Sequence, residues 1–174
     1  MLPRAKEIQK ELTEAGFRVT LDERDERPGW KFAEWELRGV PLRLEIGPKD
    51  IEKGQVLIAR RDTREKLGVP MEGLPNAIRD LLSDVQRTLL ARALKFREDN
   101  TARADSYDAF KQLMEGRPGF VIAHWCGSAD CEAQIKNDTQ ATIRNMPIGG
   151  LPTAGRCIRC DNDAKAEAWF AKAY

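Results

Sequence analysis

Residues 41–47, PLRLEIG, and residues 55–61, QVLIARR, flank the short segment PKDIEKG. In the first, Leu42, Leu44 and Ile46 alternate with Arg43 and Glu45, the two-residue period of a strand with one face turned inward. The second reads as another strand after a turn at 48–54. Upstream, WKFAEWELR at 30–38 suits a short helix that Gly39 stops, and DERDERPG before it is a charged turn. FRVTL at 17–21 alternates and is rich in strand formers, so it is expected as a strand. At the start, PRAKEIQKELTEAG is an amphipathic helix with Ile8 and Leu12 on one face and Gly16 at its end. Helix, strand, helix, strand, strand predicts an α/β domain with helices packed on a sheet.

Downstream, RDTREKLGVPMEG reads as a polar connector. LPNAIRDLLSDVQRTLLARALKFREDN then places Ile78, Leu81, Leu82, Val85, Leu89 and Phe96 mainly on one helical stripe. A helix of roughly 28 residues is about 42 Å long, enough to join two domains. A second helix, SYDAFKQLMEG, and a strand, GFVIAHW, lead into a cysteine-bearing end. The expected division is an α/β domain over 1–73, connecting helices over 74–116 and a small α+β domain over 117–174.

The chain of 174 residues is 41% hydrophobic and 33% charged, with a formal net charge of +1. That is a soluble globular composition, and it argues against attachment to nucleic acid or membrane by bulk charge. No run of 18 apolar residues is present, so no segment is expected to span a bilayer. MLPRAKEIQKEL has no apolar core of a secretory signal, which makes a cytoplasmic location and reduced thiols the expectation.

WCGSADC holds Cys126 and Cys131, and GRCIRC holds Cys157 and Cys160; there are no other cysteines. Two close pairs suit a tetrahedral zinc ion, each loop turning two sulfurs toward one metal. Four sulfurs fill the shell, so the ion would be structural. A redox dithiol and unrelated buried cysteines are the alternatives, although CIRC lies in a polar loop and not where a strand enters a helix. His124, the only histidine, is read as a packed strand residue. With no base-paired nucleophile in view, no hydrolase or transferase centre is expected.

Phe32 and Glu36 share a helix face at i and i+4. Arg43 leaves the next strand on its polar side, and Lys49 and Asp50 sit in the turn beyond. A ring can stack on an unpaired base, a carboxylate can accept both hydrogens of guanine's pairing edge, and an arginine can grip acceptors or phosphate. The alternative is a charged helix face salt-bridged to a neighbouring strand with Phe32 in a small core, and the chemistry alone favours it.

LDERDERPGWKFAEWELRGVPLRLEIGPKDIEKGQVLIARRDT, however, resembles the anticodon-binding domain of prolyl-tRNA synthetases of the archaeal/eukaryotic-like type. KFREDNTARADSYDAFK, WCGSADCE, CIRC and the terminal FAKAY resemble the remainder of the same enzymes, in order. The resemblance implies an anticodon-binding α/β domain on a mixed sheet, whose first strand is missing ahead of AKEIQKEL, followed by a C-terminal zinc domain. It implies zinc ligation by Cys126, Cys131, Cys157 and Cys160, and tRNA contacts by Phe32, Glu36, Arg43, Lys49, Asp50 and Lys66. It also implies that Tyr174 contacts the catalytic domain. The ATP-, Mg²⁺- and proline-binding core of this ligase family is not in the chain. The expected partners are therefore proline tRNA and that catalytic domain, in cis or in trans, with a homodimer formed through the core. The competing expectation is a free-standing zinc-stabilised module that binds RNA or protein without catalysis.

Overall fold

The alternation at 42–45 and the run at 55–60 pair with each other. In the computed structural model, which describes residues 1–116, 119–148 and 154–172, β1 (Leu42–Glu45) lies antiparallel to β2 (Gln55–Arg60), with Leu44 opposite Ile58. A third strand, β3 (Lys66–Pro70), pairs antiparallel to the other edge of β2. This first sheet is antiparallel throughout. The residues read as a connector thus supply a strand: Leu67 and Val69 alternate inward, but Gly68 and Pro70 mask the pattern. Pro70 is tolerated because it ends an outer strand, where its missing N–H costs no ladder bond.

Helices α1 (Leu2–Glu14) and α2 (Pro28–Leu37) precede the sheet. Pro28 opens α2 two residues earlier than expected, because the fixed φ of proline suits a first helical position. Gly39, at φ 85°, stops it as read. The core joins Ile8 and Leu12 of α1 to Val56, Ile58, Met71, Leu74 and Ile78. Residues 17–21 do not form a strand. Phe17 and Val19 do pack on this core, so the alternation is real, but no strand lies beside them among the described residues. The supposed turn at 48–54 holds a short helix, α3 (Pro48–Glu52).

Helix α4 (Leu74–Asp99) has 26 residues and is about 39 Å long. Leu74, Ile78 and Val85 are buried, whereas Leu89 and Phe96 of the expected stripe are 37% and 70% exposed. The chain divides inside α4 into two compact units, Met1–Arg92 and Ala93–Tyr174.

The second unit is built on a four-stranded mixed sheet. Its strands are β4 (Thr101–Arg103), β5 (Phe120–Trp125), β6 (Ala141–Asn145) and β7 (Ala166–Lys172), in the order β4-β5-β7-β6. Only β4 and β5 run parallel. Helices α5 (Tyr107–Gly116) and α6 (Ala129–Thr139) bring Phe110, Met114 and Ile135 against Val121, Ala123, Ala168 and Phe170. Phe110 meets Phe170 edge-on, with centroids 5.2 Å apart. Sequence patterning missed α6, β6 and β7. This core uses alanines at 104, 123, 141 and 168, each under 5% exposed, and alanine carries almost no periodic signal.

One ion-pair cluster makes the first unit acid-sensitive. Arg60 bonds Asp62 at 2.7 Å and reaches Asp84 of α4 at 2.5 Å, and the side chains of Arg60 and Asp62 are 7% and 1% exposed. The Arg60 guanidinium holds the carboxyls of both Asp62 and Asp84 below the usual range. A depressed folded pKa contributes stability above the unfolded value, about 3.9 for aspartate, and that stability disappears as pH falls through the folded value. Thermal midpoints of the first unit are therefore expected to hold between pH 7 and 5 and to drop below about pH 4. Asp62→Asn should lower stability at neutral pH and flatten the acid slope; an unchanged slope would show the cluster to be irrelevant.

Candidate nucleic-acid interface and thiolate cluster

Helix α2 places Phe32 and Glu36 one turn apart, and β1, running just beyond it, sends Arg43 back toward them. The Arg43 guanidinium lies over the Phe32 ring, 3.9 Å from its centroid, and donates to Glu36 Oε1 at 2.7 Å. Arg43 also bonds Glu45 at 3.0 Å, and Lys66 of β3 bonds the other oxygen of Glu45 at 3.0 Å. Lys66 Nζ stands 5.7 Å from the Phe32 centroid. The result is one aromatic ring with two cations and two carboxylates around it. Ion pairs do span helix and strand, as the alternative of a salt-bridged helix face requires. Yet Phe32 is only half-buried and is not among the side chains of the core, and the Glu36 side chain is 53% exposed.

Asp50 does a different job in this structure. One of its oxygens accepts the Gly47 N–H at 2.9 Å, capping α3, and the other accepts from the Gln55 side chain at 3.3 Å. Lys49 is exposed and makes no ion pair among the described residues. Neither residue is bonded to the Phe32 group. Tyr174 lies outside the described residues. Sequence reasoning missed Glu45, which ties Arg43 to Lys66. The available signal was its place two residues from Arg43, on the same strand face.

In the second unit Cys126 follows β5, Cys131 stands in α6, and Cys157 and Cys160 lie on the turn closed by the Arg156–Asp163 bridge. Their four sulfurs all lie within 4.8 Å of one another, with Cys126 and Cys160 3.8 Å apart. A tetrahedral metal with ~2.3 Å bonds to sulfur has S···S edges of about 3.8 Å, so the cluster fits such an ion. Burial acts to raise the Cys157 thiol, but the backbone N–H groups of Cys160, Arg159 and Cys126 outweigh it and bring it down to about 7. Burial, with the thiols of Cys160 and Cys126 beside it, pushes Cys131 up to about 12. Some of the cluster is thus poised to ionise and the rest resists, which is the state a bound cation resolves by drawing off the remaining protons.

The turn is tied to the sheet by the Ile158 N–H donating to the His124 carbonyl at 2.9 Å and by the Lys165 N–H donating to the Trp125 carbonyl at 2.8 Å. Arg159 lies 5.1 Å over the Tyr107 ring, and the Tyr107 hydroxyl donates to Asp138 of α6 at 2.7 Å. The second cysteine pair is thereby held against both helices. His124 is not a member of the cluster. Its imidazole stands 3.9 Å from Glu167, directly across the ladder on β7, and packs so closely on Gly155 that a Cβ there would lie 2.6 Å from Nε2.

Residues 1–81 match the family described as the anticodon binding domain, which gives the class of the first unit. Residues 107–174 match the family described as prolyl-tRNA synthetase, C-terminal. The proline–tRNA ligase of Natranaerobius thermophilus is 47% identical over 100% of this chain and 36% of its own length. Proline–tRNA ligase 2 of Clostridioides difficile is 45% identical over 96% of this chain and 35% of its own. The crystal structure of prolyl-tRNA synthetase from Cryptosporidium parvum, complexed with L-proline and AMP, has a TM-score of 0.87 and 34% identity. That match covers 98% of this chain and 37% of the other. The chain belongs to the prolyl-tRNA synthetase family, as its anticodon-binding domain followed by its C-terminal domain. It spans about a third of the length of the curated relatives it matches. No helix among the described residues is long and apolar enough to cross a membrane.

Proposed function

We propose that this chain recognises the anticodon of proline tRNA through the face centred on Phe32, and so serves proline attachment to tRNA in translation. Phe32 stacks on one anticodon base. Glu36 accepts hydrogen bonds from a guanine edge, and Arg43 and Lys66 hold acceptors or phosphate. Lys49 and Asp50 complete the contacts from α3; Asp50 keeps lone pairs beyond those its cap and Gln55 use. Residues 1–73 form the reading part, 74–116 the connection and 117–174 a part held together by zinc on Cys126, Cys131, Cys157 and Cys160. The ATP- and Mg²⁺-dependent ligation belongs to a catalytic domain joined in cis, which Tyr174 contacts, and the whole works in the cytoplasm. Energy gained at the anticodon is remote from the chemistry and raises the rate by positioning the acceptor end.

The observation that carries this reading is the half-buried Phe32 ring with the Arg43 guanidinium over it and the largely exposed Glu36 carboxylate bonded to that cation. Filter binding with proline tRNA and anticodon-substituted transcripts tests it. Replacing either anticodon guanine is expected to weaken binding by roughly 1–3 kcal/mol. Glu36→Ala should narrow that gap, whereas Lys49→Ala should weaken all transcripts alike. Equal affinity of the unaltered chain for every transcript would sink the assignment, and would favour a general RNA- or protein-binding module.

A further inference from the structure

Trp30, in the first turn of α2, is 51% exposed. Its indole is nevertheless restrained, because the Arg24 guanidinium lies over the ring, 5.0 Å from the centroid. Asp22 grips that arginine at 2.7 and 2.9 Å, and Glu34 grips it at 2.7 Å. Asp22 also accepts the Trp35 indole N–H at 2.8 Å, and Glu34 pairs with Arg38, so Arg24 is anchored from behind. One face of the Trp30 ring is taken by a locked cation, and the residue is otherwise turned to solvent. At 3.6 residues per turn, Trp30, Ala33 and Leu37 form a stripe that adjoins Glu36, with Phe32 beyond it. Ala33 is exposed and Leu37 is 89% exposed. Trp30 and Phe32 therefore flank the solvent side of one helix, which is ~10 Å across, a span that neighbouring nucleotides of one loop can straddle. Arg27, just ahead of α2, is exposed and makes no ion pair among the described residues, which leaves it for a phosphate.

We propose that Trp30 is a second stacking platform, on which a base of the anticodon loop other than the two read guanines lies against the indole face opposite Arg24. The proposal rests on the reading of the Phe32 face given above. Every base has a π-face, so such a contact carries affinity and orientation without demanding a particular base. Arg24 behind the ring keeps the indole in place before RNA arrives, so less freedom is lost on binding.

The test uses the full chain and a proline-tRNA anticodon stem-loop, with 2-aminopurine placed in turn at each unpaired position outside the two guanines. One position is expected to lose fluorescence on binding. Trp30→Ala should abolish that quench and weaken binding about tenfold, Trp30→Phe should retain most of both, and Leu37→Ser, on the same stripe but without a ring, should alter neither. Binding that depends on the guanines, yet is within about twofold of wild type in Trp30→Ala with every quench intact, overturns the proposal and leaves the Phe32 reading standing. Equal losses from Leu37→Ser and Trp30→Ala also overturn it, because they show apolar docking of a protein surface or loop and not stacking. If the unaltered chain ignores the guanines, the Phe32 reading fails instead. Should Trp30→Ala fold poorly by circular dichroism, Trp30→Phe and the unaltered chain's quench still decide the matter.

Discussion

With zinc on the four cysteines as proposed above, a chelator at pH 7 is expected to unfold most of the second unit and leave the first folded. Structural zinc carries an apparent ~10–16 kcal/mol at neutral pH, against a total stability of roughly 5–15 kcal/mol for a typical domain. The second unit has little with which to replace it. Its largest fully buried side chains are Phe110, Phe170 and Ile135, and four of its core positions are alanine. Without a cation, four sulfurs within 4.8 Å of one another cannot all ionise, and Cys131 at about 12 stays protonated. The turn carrying Cys157 and Cys160 then hangs on a few backbone bonds and the Arg159–Tyr107 contact. Hydrogen exchange read by mass spectrometry checks this: amides of β5, β7 and α6 should lose protection together while those of β2 keep theirs. Cys131→Ser, which nearly conserves volume and removes one ligand, should act in the same direction. Full protection in β5 and β7 after verified removal of the metal would end the idea that the ion holds this unit.

Arg43→Ala is expected to weaken proline-tRNA binding by about 2–3 kcal/mol, with little change in thermal stability. Arg43 sits at the centre of the Phe32 group, over the ring and bonded to Glu36 and Glu45. Charge-assisted hydrogen bonds contribute roughly 1.5–3 kcal/mol, and a cation on an aromatic face roughly 0.5–2. Its removal also leaves two carboxylates, with only Lys66 to offset them, facing a phosphate backbone. Arg43→Lys restores the charge but not the flat overlay or the forked bonding, so it should recover less than half of the loss. Filter binding gives both numbers, and an Arg43→Ala chain within about threefold of wild type would remove Arg43 from the interface.

Much of this was legible in the sequence, and the exceptions have identifiable causes. The period of two at Leu42, Leu44 and Ile46 and the helical stripe from Ile78 to Val85 each point to an inward face; the structure buries Ile78 and Val85 and packs the three strand residues, partly buried, on the first core. The segment 17–21 shows the limit of periodicity: alternation marks which side chains turn inward, whereas a strand also requires a neighbour. β3 was hidden by Gly68 and Pro70, and α6, β6 and β7 by alanine. The Phe32–Glu36 pair follows from helical spacing, and Arg43 from strand polarity. The approach of Lys66, however, depends on the pairing of β2 with β3, which no local pattern encodes. Cysteine spacing announced the cluster, although not that Cys131 would be presented by a helix.

The alanines of the second unit set how near its helices come to its sheet. Ala123 and Ala168, paired across β5 and β7 and buried in the same core as Phe110 and Phe170, leave little room for a bulkier side chain. A methyl more at Ala123 or Ala168 would lever α5 and α6 away from β5 and β7, and the sulfur carried by α6 would move with them. In that half of the chain, tightness of fit and the position of the Cys131 sulfur are linked, so a change made far from any cysteine can still disturb the geometry of the four-sulfur cluster.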